Sequence, residues 1–278
     1  MGVTSQIPAE LFEREAIWSA SIVSKLQELN RPDLYRPLAD CHRYQTHFVC
    51  QSCHHETHAL NRCDRFYCPL CVGRLAWRRR QKIAWWVKTV PEPKHIVLTQ
   101  RNSSTFSKTY VHKFQKSLRS LRRSSTFRQV SGGLCSLEVT NERRGWHLHA
   151  HLLVDGPFIP GYDLSRAWAR RVKQDFAIVK IKDCRDQSYL QEVTKYVIKG
   201  SILASFNGWE IECFIDAMTG VRCFSTFGSL FKDNALRMNA INALETPSMT
   251  CDKCSGEAFW YLDDAEYEAY YTTGKLPW

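Results

Sequence analysis

The chain has 278 residues, 44% of them hydrophobic, enough for one large domain or two small ones with a packed core. Lys and Arg number 38 against 28 Asp and Glu, a formal net charge of +10. That balance favours a polyanionic partner, a nucleic acid first and an acidic membrane surface second. No run approaches the roughly 20 apolar residues of a membrane helix, and Met1 to Glu15 lacks the apolar core of a secretory signal. A cytoplasmic protein with no membrane partner is therefore expected.

In chain order, Pro8 to Leu29 reads as a helix, with apolar positions at Leu11, Ile17, Trp18, Ile22 and Leu26. Arg31-Pro32 ends it, because the residue before a proline is pushed out of helical geometry. Residues 36–73 are crowded with Cys and His and read as a loop-rich metal module. Residues 74–89 read as a basic amphipathic helix carrying Arg78, Arg79 and Arg80, and Pro91 and Pro93 then break the chain. His95 to Gln100 reads as a strand and Lys108 to Arg123 as a second basic helix. Leu134 to Thr140 and Trp146 to Val154 read as strands joined by the polar turn 141–145. A helix over Asp163 to Phe176, a strand over 177–182 and a helix over Ser188 to Lys199, ended by Gly200, complete the pattern. This β-α-β-β-α-β-α order fits an α+β fold, an antiparallel sheet with helices on one face in the ferredoxin-like manner.

The 12 cysteines bear on chemistry. In a cytoplasmic chain, clustered Cys-x-x-Cys pairs point to metal rather than disulfides. Cys50-x-x-Cys53 and Cys68-x-x-Cys71 are each able to form a knuckle, and two knuckles close a tetrahedral zinc site. Cys63 is a further candidate that replaces one of the four, and the nearby Cys41 and histidines leave room for a second zinc. Four thiolates leave no open position, so the role is structural. Cys251-x-x-Cys254 stands alone, with Cys213 or Cys223 as candidates to complete it.

His149 and His151 are two residues apart in an apolar strand and so share a face. His147 shares it too. The hairpin turn brings Glu138 beside His149, so two imidazoles and a carboxylate form a ligand set with open positions. These ligand types also permit zinc or iron. Further on, a helix would place Glu192, Tyr196 and Lys199 on one face. Tyr189 falls on that face as well and reads as a packing residue.

A His-x-His strand followed by a Tyr-x-x-Lys helix resembles the HUH endonuclease superfamily. The Glu-x-x-x-Tyr spacing is similar to that of rolling-circle replication initiators of small bacterial plasmids. The segment from Cys63 to Cys71 resembles the cysteine segment that precedes the nuclease core in these initiators and in related transposases. Val221 to Lys232 resembles a segment after their catalytic tyrosine. The resemblance implies an N-terminal helix (1–35), a zinc module with its basic helix (36–90), a nuclease core (91–205) and a C-terminal extension (206–278). It implies Mg²⁺ or Mn²⁺ on His149, His151 and Glu138, with one or two structural zinc ions. Tyr196 would attack a DNA phosphate, leaving a 5′-phosphotyrosine and a 3′-hydroxyl primer. Lys199 would steady the phosphate or the tyrosinate, and Glu192 would activate water for a second cleavage. The implied partners are single-stranded or hairpin origin DNA, a host helicase and a DNA polymerase. Lys116, Arg119, Arg122 and Arg123, with Arg78 to Arg80, are the candidate phosphate contacts. A transposase of the same chemistry and a non-catalytic zinc DNA-binding protein are the alternatives.

Overall fold

The computed structural model describes residues 9–73, 75–76, 86, 90–142, 145–184, 199–232, 251, 253–262 and 264–273. Within them the fold is α+β, with two antiparallel sheets.

The larger sheet has five strands: β3 (Pro93–Thr99), β4 (Gly132–Glu142), β5 (Gly145–Asp155), β6 (Val179–Asp183) and β7 (Phe224–Gly228), in the order β6-β3-β5-β4-β7. Side chains alternate along each strand, so the sheet has two faces of different character. Leu148, Ala150, Leu152 and Val154 of β5 join Ile96 and Leu98 of β3 and Leu137 and Val139 of β4 in the main core. That core is closed by α3 (Lys108–Arg122), α4 (Gly161–Val172) and α6 (Gly208–Met218), through Phe114, Trp168 and Phe214. The opposite face carries His147, His149 and His151.

The smaller sheet has three strands, β1 (Gln45–Cys50), β2 (Glu56–Leu60) and β8 (Phe259–Leu262), in the order β2-β1-β8. Helix α8 (Asp264–Thr273) packs on it. Helices α1 (Ala9–Glu28) and α2 (Pro32–Ala39) pack against each other, and α1 also contacts α5 (Gly200–Ser205) and α6. The short α7 (Ser229–Lys232) follows β7 directly. Pro32 opens α2 at a position where its missing N–H costs nothing. Residues expected as a C-terminal extension are thus shared out: Phe214 enters the main core, β7 forms a sheet edge, and β8 completes the small sheet. No helix among the described residues is long and apolar enough to cross a membrane.

The buried stripe of α1 differs from the apolar pattern. Ile22 and Leu26 are fully buried, whereas Ile17 is 68% exposed. Ser19 and Glu15 take the inward positions one and two turns before Ile22. Oε2 of Glu15 has no hydrogen-bond partner among the described residues. Burial pushes its carboxyl up to about 7, with Arg14 opposing the shift. The folded state then holds a proton that the unfolded chain releases between about pH 4.5 and 7, so stability falls as pH rises through that window. Glu15→Gln removes the buried charge. It is expected to unfold at higher denaturant than the native chain at pH 8, by roughly 1–3 kcal/mol. The two should coincide at pH 4, and an advantage that persists there would refute this account.

Candidate metal centres and the histidine face

The register of the central hairpin pairs Glu138 with His149 and Ser136 with His151, and the neighbouring strand pairs Val97 with His151. All these side chains lie on the face turned away from the main core. His151 is buried, and its Nε2 lies 2.8 Å from Oε2 of Glu138. Its Nδ1 lies 3.2 Å from Nε2 of His95, whose ring stacks on it at 5.4 Å. His151 is thereby fixed at both nitrogens. The His149 ring lies 6.2 Å from His151 and 4.3 Å from His147.

Nε2 of His149 is buried without a hydrogen-bond partner. Burial and the neighbouring His147 pull its pKa down to about 4, against the pull of Glu138. It is therefore a neutral imidazole near pH 7, the protonation state in which a histidine ligates metal. The Glu138 carboxylate and the imidazoles of His149 and His151, the former neutral with an unsatisfied nitrogen, fit a divalent ion in kind. These donors do not close into a single compact ligand set as the cysteines do.

Two groups of four cysteines close tightly. In one, Cys41, Cys63, Cys68 and Cys71 have sulfur–sulfur distances of 3.4 Å (Cys41–Cys71), 3.7 Å (Cys41–Cys68) and 3.8 Å (Cys63–Cys71). In the other, Cys50–Cys254 is 3.5 Å and Cys53–Cys251 is 3.4 Å. A tetrahedron with metal–sulfur bonds of about 2.3 Å has edges of about 3.8 Å. A disulfide needs about 2.05 Å, and all of these cysteines are free. Both groups therefore have the donor set and spacing of a structural zinc site. Without metal, four thiols in contact cannot all ionise: hydrogen bonds from Cys63, Cys68 and Cys71 hold Cys41 well below the usual thiol range, while Cys41 drives Cys68 well above it.

This corrects the expected pairing of Cys50 and Cys53 with Cys68 and Cys71. Cys50-x-x-Cys53 lies at the β1–β2 turn, and β8 on the other side of β1 brings Cys251-x-x-Cys254 to it. The two knuckles share one backbone pattern. His54 N–H donates to the Cys50 carbonyl at 2.9 Å and Ser255 N–H to the Cys251 carbonyl at 2.8 Å. His54 and Ser255 both have positive φ, 60° and 58°. Cys68 and Cys71 instead open a helical turn and meet Cys41 just beyond α2. Cys213 and Cys223 belong to neither group.

The remaining predicted residues fall as follows. Glu192, Tyr196 and Tyr189 lie outside the described residues, as do Arg78, Arg79 and Arg80. Lys199 is exposed and has extended backbone (φ −72°, ψ 139°). It is not the last residue of a helix ended by Gly200: Gly200 opens α5, and a Cβ there would press on Trp18 and Pro69. Lys116 and Arg119 are exposed on α3, and Arg122 lies over the Phe227 ring at 4.7 Å. His95 was missed by sequence reasoning. The available signal was parity, since it shares its face of β3 with Val97, the residue opposite His151. Comparison with known proteins gives no further guide: no family model, no curated protein and no solved structure matches the chain.

Proposed function

We propose that this chain is a metal-dependent, strand-specific DNA nicking and joining enzyme of the kind that starts rolling-circle replication of a plasmid. The observation that carries the reading is the set of His149, His151 and Glu138 on one sheet face, with His149 neutral and its Nε2 unsatisfied. The β-α-β-β-α-β order and the β6-β3-β5-β4 arrangement support a ferredoxin-like nuclease core. A divalent ion, Mg²⁺ or Mn²⁺, held by these three residues would make a DNA phosphorus more electrophilic. His95 holds His151 in one ring orientation by its contact at Nδ1.

Tyr196 is the nucleophile in this reading. Its phenolic oxygen bonds to the 5′ phosphorus, and the 3′ oxygen leaves and takes up a proton to become the hydroxyl that a polymerase extends. The new phosphotyrosine bond conserves the energy for rejoining. Glu192 takes the proton from a water in the second cleavage. Lys199, exposed at the start of α5, would meet the phosphate. Origin DNA is the substrate, and a host helicase and polymerase follow. A transposase would use the same chemistry.

The test is adduct formation on single-stranded origin-like oligonucleotides with Mn²⁺. Tyr196→Phe removes one oxygen and is expected to keep DNA binding while losing the covalent adduct. Glu192→Ala is expected to keep the first nick and the adduct and to lose the second, water-dependent cleavage. An adduct that survives in Tyr196→Phe, or a native chain that binds DNA without ever forming one, would sink the proposal. The second result would leave a zinc-dependent DNA-binding protein.

A further inference from the structure

On the helix-covered side of the large sheet, away from the histidines, the end of α3 meets β7 around a cavity of about 270 Å³. Arg119, Arg122 and Arg123 form one wall, and Phe127, Phe227 and Ser131 contribute to the rest. Among the described residues, none of the three arginines pairs with a carboxylate. Helix α3 has no acidic residue over its 15 positions, so nothing on it neutralises them. The negative end of the helix favours cations in its last turn but leaves their N–H groups without an acid. The lining itself holds no acid, and Ser131 on it donates its Oγ hydrogen to Asp155 at 2.7 Å.

The guanidinium carbon of Arg122 lies over the Phe227 ring, 4.7 Å from its centroid, a cation–π contact that engages the charge rather than the N–H donors. Partial burial also lowers the pKa of Arg122, with Arg119 and Arg123 adding to the effect, so an anion there would relieve a crowd of like charges. Gly228 shapes the cavity wall. Its φ is 62°, and a Cβ there would sit 2.3 Å from the Ser131 carbonyl oxygen. From the pocket, Arg119 and Lys116 continue along the exposed face of α3. From Lys116 to Arg123 the row spans about 10 Å.

Three guanidiniums with no carboxylate partner among the described residues are matched to a phosphate, whose oxygens accept several N–H bonds at once. An aromatic ring beside them is matched to a sugar or base. The cavity is at the small end of ligand pockets, sized for one such unit. The basic row leading out of it fits a strand that continues beyond the pocket. We propose that this pocket seats one nucleotide of a single DNA strand, with its phosphate on Arg119, Arg122 and Arg123 and its sugar or base against Phe227. The site is separate from the histidine face and stands whether or not that face is a nuclease.

The experiment is fluorescence anisotropy of a short labelled oligo-dT with the full chain, without added divalent ion. Titrations run between about 50 and 200 mM salt. The double variant Arg119→Gln, Arg123→Gln is compared with Arg170→Gln, Lys173→Gln, which removes equal charge from the exposed end of α4. The first is expected to bind about ten-fold more weakly and to lower the salt slope by about one. The second should stay within about two-fold of the native chain. Phe227→Leu, which keeps all charges, should weaken binding by about five-fold. Equal losses in the two charge variants would overturn the proposal. So would displacement of the strand by micromolar dTMP, which would make the pocket a free-nucleotide site. Displacement only at millimolar dTMP is the expected result. Since no nick is read, failure of this pocket and failure of the nuclease give different results.

Discussion

The native protein is expected to hold two tightly bound zinc ions, and Cys251→Ser to hold one. Cys68→Ser should lose the other ion and most of the soluble yield. The difference follows from where the sulfurs lie. Cys68 is fully buried beside Cys41 and Cys71, and this group packs with Ile22, Leu34 and Leu38 in the main core. Structural zinc in small modules supplies about 10–16 kcal/mol of folding free energy, as much as the whole stability of a typical domain, about 5–15 kcal/mol. The second group lies at the edge of the small sheet, with Cys53 and Cys254 exposed, so its loss should loosen β1, β2 and β8 and spare the large sheet. Elemental analysis per chain, with far-ultraviolet circular dichroism, reads both effects. If Cys251→Ser retained two zinc ions, the cross-chain grouping would be wrong.

If the proposed function holds, His149→Ala is expected to lower metal-dependent nicking by about three orders of magnitude or more, because the proposed electrophile-activating ion would lose one ligand. DNA binding at low salt should change by no more than about two-fold, since phosphate contacts by Lys and Arg carry affinity. The substitution removes a neutral, half-buried ring whose Nε2 makes no hydrogen bond, so the fold loses little. A quench assay over a Mn²⁺ titration, with melting temperature as a control, distinguishes the two. Full nicking by this variant would remove the histidine face from the mechanism.

Much of the framework was legible in the sequence because burial imposes periodicity. The strand expected over Trp146 to Val154 is found as β5, and the basic helix expected over Lys108 to Arg123 is found as α3, which buries Val111, Phe114, Leu118 and Leu121. The facing of His149 and Glu138 was legible as well, since a short polar turn between two strands fixes the register. The cysteine grouping was not. Two Cys-x-x-Cys pairs near each other in sequence invite pairing, but a knuckle's partner is set by sheet neighbours, and β8 arrives from the far end of the chain. Ile17 is exposed where burial was expected because the inward stripe of α1 is completed by two polar residues, Glu15 and Ser19, which an apolar pattern does not reveal. Lys199 left its expected helix because its backbone is extended where α5 begins. His95, read only as the start of a strand, was given no site role, because its contact is made by rings across strands, which no local pattern records.

The grouping of Cys53 with Cys251 also sets an order of events during synthesis. The two residues are 198 positions apart. A ribosome adding about 5–20 residues per second needs about 10–40 s to pass from one to the other. For most of that interval Cys50 and Cys53 offer only half a ligand set, while Cys41, Cys63, Cys68 and Cys71 have all been made and are able to take metal first. A zinc ion caught early by Cys50 and Cys53 with any two of the others would give a mispaired nascent chain. The hairpin that presents Cys53 is therefore the part of this protein most exposed to a cell's free zinc level while the chain is being made.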